Sequence, residues 1–79
     1  MKISKEQLNE YIKLYLNDVE DYGEDDELII AETTLSKLQN NLITESEFDL
    51  QSVITEAINK SQSKSKLVLN DFFMYVENI

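Results

Sequence analysis

Between Asp18 and Glu32 the chain reads Asp-Val-Glu-Asp-Tyr-Gly-Glu-Asp-Asp-Glu-Leu-Ile-Ile-Ala-Glu, eight carboxylates in fifteen residues with no lysine among them. Carboxylates at that density can chelate a cation, share a proton in acid–base chemistry, or meet a positive surface on another molecule. Chelation is tested by register. A calcium loop opening at Asp18 would place Glu20 third and Gly23 sixth, as the motif asks. It would then place Tyr22 fifth, charged Asp25 eighth, and Ile29 twelfth, where a bidentate carboxylate is required. No metal site is expected.

Proton sharing needs a cleft in which burial raises one carboxyl pKa above its neighbour's. Acids this densely clustered are expected in solvent instead. The hydroxyls of Ser4 and Thr44 and the lysine amines have no visible activating base. With no histidine and no cysteine, the usual general base, thiol nucleophiles and thiolate or imidazole metal ligands are all missing. Neither catalytic residues nor a cofactor are expected, and the third option, a positive partner, is what remains.

The charge distribution supports it. Sixteen acids against seven lysines, with no arginine, give a net charge of −9. Residues 1–16 carry +1, residues 17–59 carry −11 with Lys37 their sole base, and residues 60–79 carry +1. Direct nucleic-acid binding needs clustered cations and is disfavoured. No run approaches the roughly 18 apolar residues that span a bilayer, and Met1-Lys-Ile-Ser-Lys-Glu lacks a signal peptide's apolar core. A cytoplasmic protein without membrane contact is expected, folded as one domain over residues 1–79.

Helices must position these acids. Ile3-Ser-Lys-Glu-Gln-Leu8 and Ile43-Thr-Glu-Ser-Glu-Phe48 share one template: a hydroxyl cap, a Glu or Gln three residues later, and flanking apolar residues. Each reads as a capping box with a staple, starting a helix after Ser4 and another after Thr44. Leu8, Tyr11, Ile12, Tyr15, Leu16 and Val19 then recur at steps of three and four. Gly23 suits the left-handed residue past a helix end. Leu28, Ala31, Leu35, Leu38 and Leu42 form a second stripe, widened by Ile29 and Ile30. Leu50, Val53, Ile54, Ala57 and Ile58 form a third. The polar run from Lys60 to Lys66 reads as a mobile connection. Leu69, Phe72, Phe73, Val76 and Ile79 mark a fourth helix, whose opening Leu67-Val-Leu69 can also be read as extended. With no proline, one glycine and no convincing period-two run, the spacing predicts an all-α compact bundle of three to four helices over about 5–21, 26–40, 45–60 and 66–78.

On that frame the cluster divides. Glu24, Asp25, Asp26 and Glu27 stand at the start of the second helix, where the macrodipole favours anions by roughly 0.3–1 kcal/mol each. Asp18, Glu20 and Asp21 stand in the last turn of the first, where the same field opposes them. Folding gains nothing from these three. An acidic face can serve solubility alone, but a solvated face usually mixes both signs, and a single-signed one is the pattern that steers a complementary partner. The candidate partner-binding residues are Asp18, Glu20, Asp21, Tyr22, Glu24, Asp25, Asp26, Glu27 and Glu32. Phe72, Phe73 and Val76 are expected in the core, Met74 and Tyr75 to point elsewhere, and Tyr11, Tyr15 and Tyr22 to rim the bundle, where tyrosine can also anchor an interface.

Glu45-Ser-Glu-Phe-Asp-Leu50 resembles the acidic end of the second helix of acyl carrier proteins, and Leu69-Asn-Asp-Phe-Phe-Met-Tyr-Val-Glu77 resembles that family's final helix. In this register the family's Asp-Ser-Leu falls on Thr33-Thr34-Leu35, with Thr34 at the serine that carries the phosphopantetheine arm and Ala31 at the usual glycine. Shifting to Leu35-Ser36-Lys37 matches no better. The resemblance implies a helical scaffold that has lost its prosthetic group and acts by binding.

Together these readings predict a small acidic inhibitor that occupies the basic, nucleic-acid-binding surface of a partner protein, in a DNA-mimic or antitoxin-like mode suited to a phage or mobile element. The alternative is a non-catalytic docking or homodimerisation module, such as the degenerate carrier-like scaffold, whose acids serve solubility.

Overall fold

The first helix begins as its sequence dictates. The Ser4 hydroxyl accepts from the Gln7 N–H at 3.2 Å, and the Gln7 side chain accepts from the Ser4 N–H at 2.9 Å, closing the reciprocal box. The computed structural model describes residues 2–41 and 46–79. In it, helix α1 spans Lys5–Tyr22, α2 Asp25–Asn41, α3 Leu50–Asn59 and α4 Ser63–Glu77, with a short strand β1 at Lys2–Ser4 before α1 and another, β2 at Glu47–Asp49, before α3. The protein is an all-α bundle of four helices, with one small addition that the periodicity does not announce.

That addition is an antiparallel clamp in which Lys2 pairs with Asp49, Ile3 with Phe48 and Ser4 with Glu47. Ile3 and Phe48 face each other and both are buried. Three residues cannot display an alternating pattern, which is why no strand was expected. The clamp moves the start of the third helix from about residue 45 to Leu50. Its cap is Asp49, whose carboxylate accepts from the Ser52 N–H at 3.1 Å and the Ser52 hydroxyl at 2.8 Å. Thr44, the expected cap, lies outside the described residues, as does Leu42. Each strand thus ends on the cap of the helix that follows it.

Two further expectations are corrected. The polar run after Lys60 is not a seven-residue connection, because α4 starts at Ser63 and includes Lys64, Lys66 and Leu67-Val-Leu69 as helix. Gly23 is not left-handed: its φ of −94° and ψ of 168° are extended. Space selects glycine instead. The Gly23 N–H donates to the Val19 carbonyl at 2.7 Å, and a Cβ there would sit 2.7 Å from the same oxygen.

Because only Gly23 and Glu24 separate α1 from α2, these helices fold back on each other. Gln39 near the end of α2 donates to Asn9 near the start of α1 at 2.7 Å, which makes the pair antiparallel. Helix α4 packs against α1, α2 and α3 alike. The core runs from Leu8, Ile12 and Val19 through Leu35 and Leu50 to Leu69, Phe72 and Val76, all on the predicted stripes. The stripes overreach at Ile29 and Ile79, which are 61% and 63% exposed, and Phe73 is only half-buried.

Candidate protein-binding surface

The turn at Gly23 brings the C-terminal end of α1 against the N-terminal end of α2, so the two halves of the acidic stretch share one end of the molecule. Asp18 is half-buried; Glu20, Asp21, Tyr22 and Glu24 to Glu27 are exposed, Tyr22 by 71%. Glu32 is also exposed but lies five residues beyond Glu27, roughly 8 Å further along the α2 axis. The last turn of α1 carries no base and the first turn of α2 carries Asp25, Asp26 and Glu27. Among the described residues, no lysine pairs with any of these eight acids; the lysine–carboxylate pair there is Lys60 with Glu56, at 3.0 Å. No group of three acidic side chains converges to hold a metal ion among those residues either.

Helix α4 supplies what the sequence reading missed. Tyr15, expected on the rim, is buried in the core and its hydroxyl donates to Asp71 at 2.8 Å. Its ring meets Phe72 and Tyr75 edge to face, with centroids 5.5 and 5.6 Å apart. Tyr75, expected to point away, packs against the core, and the nearby Asp18 carboxylate raises its phenol. Asp18, Tyr22, Glu27, Asp71 and Tyr75 therefore gather around Tyr15 from three helices, while Glu20, Asp21, Glu24, Asp25 and Asp26 flank the group in solvent. A buried tyrosine needs an acceptor for its hydroxyl, and that requirement was the available signal for Asp71. Finding it meant linking positions 15 and 71, which local periodicity cannot do.

The phenols register the local field. Burial, then the hydrogen bond and charge of Asp71, push the Tyr15 phenol well above its ordinary value. Tyr22 is raised by partial desolvation and then by Asp71, Asp18 and Glu27; Tyr75 is raised by desolvation and then by Asp18. The neutral phenol is the form that the fold holds. Tyr15 thus contributes stability in full below the ordinary tyrosine value near 10, and loses it as pH rises through the higher folded value. Thermal melts from pH 8 to 11 are expected to show Tm falling at the alkaline end, with a shallower fall in Tyr15→Phe. An equal slope in both proteins would mean that Tyr15 is not linked to folding.

Comparison with family models, with characterised proteins and with solved structures returns no match to this chain. The carrier-like resemblance also loses part of its footing, since Glu47–Asp49 is a strand and not the end of a helix. Thr34 is buried, with its hydroxyl turned onto Ser65 at 3.1 Å, away from the exposed position that an attachment residue needs.

Proposed function

We propose that this chain is a small acidic inhibitor which binds the basic, nucleic-acid-binding surface of a partner protein through the α1–α2 junction, without catalysis of its own. One observation carries the reading: Asp71 is held by the hydroxyl of Tyr15 at 2.8 Å, and among the described residues no lysine pairs with the junction acids. A lysine would fix a carboxylate and cancel its charge. A neutral phenol fixes it and leaves the charge to act outward. A nearly rigid array of uncancelled anions is what imitation of a phosphate backbone requires. The partner is thus a protein, not nucleic acid, and a cytoplasmic setting suits this role; no helix among the described residues is long and apolar enough to cross a membrane.

The test is capture of a basic nucleic-acid-binding protein on the immobilised chain. Capture is expected to fall about tenfold or more between 0.05 and 0.2 M salt, to be reversed by duplex DNA, and to weaken in the triple variant Asp18→Asn, Glu20→Gln, Asp21→Asn. Capture indifferent to salt, to DNA and to the triple variant would overturn the reading. The second reading, a docking or homodimerising module, is favoured by Leu67 and Met74, seven residues apart on α4 and 70% and 59% exposed. A tight dimer in light scattering, unchanged by salt, would select it.

A further inference from the structure

The acidic character of the chain gives way to lysines and hydroxyls beside the α3–α4 connection. A cleft of about 360 Å³ opens where the second half of α2 meets the connection between α3 and α4. Lys37 and Lys60 line it, together with the hydroxyls of Thr34, Ser61 and Ser65 over an apolar floor that includes Leu69. Two of the chain's seven lysines line this space, and among the described residues no acid does. We propose that the cleft binds a phosphate-bearing small molecule, with the phosphoryl group between the two ammonium groups and the Ser65 hydroxyl.

The donors are available for it. Thr34 spends its hydrogen on the Ser65 oxygen at 3.1 Å, so the Ser65 hydrogen is left to point at a ligand. Ser61 donates to the Ala57 carbonyl at 2.6 Å and is an acceptor only, suited to a protonated phosphoryl oxygen or a ligand hydroxyl. Lys60 is engaged by Glu56, but both side chains are more than two-thirds exposed, at 75% and 69%. An exposed pair of that kind holds weakly and yields to a dianion that meets two lysines at once. Lysine acts on phosphate as a point charge, so no planar fork is needed.

Size and field agree with this ligand class. Pockets for small ligands begin at about 300 Å³. Lys37 lies ten residues from Glu27, roughly 15 Å along the α2 axis, beyond the screening length of about 8–10 Å at physiological salt. The acidic junction therefore does not cancel the cleft. The first turn of α4 adds N–H groups that the Gln62 side chain does not cap.

The experiment titrates inorganic pyrophosphate into the full chain at constant ionic strength, set with sodium chloride, and follows amide resonances. Saturable shifts are expected at Lys37 and at residues 60–65, with the junction residues 18–27 still. The double variant Lys37→Gln, Lys60→Gln should weaken the apparent affinity by about tenfold or more. Lys13→Gln, on the exposed side of α1, should change it by less than about twofold. Shifts that never saturate, or that stay away from the cleft, overturn the proposal. So does an equal loss in Lys13→Gln, which would mean diffuse attraction to any lysine.

Discussion

Replacing Phe72 by alanine is expected to remove a large share of the stability of this protein. The side chain is fully enclosed, it sits on α4, which packs against all three other helices, and its ring packs edge to face on Tyr15. Truncating an enclosed phenylalanine costs about 3–5 kcal/mol. Domains of this size hold roughly 0.05–0.15 kcal/mol per residue, so the loss takes about a quarter or more of the whole. Tm should fall by roughly 15 °C or more, read by far-ultraviolet circular dichroism. Met74→Ala, two residues along and 59% exposed, is expected to stay within about 0.5 kcal/mol of wild type. Similar small losses in both variants would mean that α4 is not the hub of the core.

The second large effect has the opposite sign to most substitutions. Neutralising Asp18, Glu20 and Asp21 with asparagine, glutamine and asparagine should raise stability by about 1 kcal/mol at low salt, because each charge opposes the α1 macrodipole and repels the acids that open α2. Urea midpoints should separate variant from wild type in 0.02 M salt and converge near 0.5 M, as screening removes the repulsion. The matching change at Asp25 and Asp26 forfeits favourable dipole energy and should yield a smaller gain or a loss. If the triple variant proves less stable than wild type, those three acids serve the fold and the proposed interface loses its premise. Paired with weakened capture, a gain in stability would show acids retained at the expense of the fold.

What could be read from the residues alone follows the range of the interactions involved. The Ser4–Gln7 box closes within four residues, and the stripes of α1 and α4 repeat within one turn, so both are written locally. The clamp between Ile3 and Phe48 and the Tyr15–Asp71 bond each join distant positions, and neither leaves a periodic trace. The candidate surface was accordingly half legible. Its acids announced themselves by density, whereas Tyr15 as the residue that orders a carboxylate, and Asp71 itself, emerged only when α4 was laid across α1. Gly23 shows a subtler case: the residue was recognised as special, but the cause is a carbonyl 2.7 Å from where a Cβ would stand, not a left-handed turn.

The strand pair also sets an order of assembly. The α1–α2 hairpin is joined by two residues and can zip from its own turn, but Lys2–Ser4 has no partner until the chain has grown past Asp49. Closing a loop from Ser4 to Glu47 is the slow, entropically demanding event, and it delivers Ile3 and Phe48 to the core together. A nascent chain on the ribosome would thus expose a helical hairpin, acids outward, well before its first residues are sewn in.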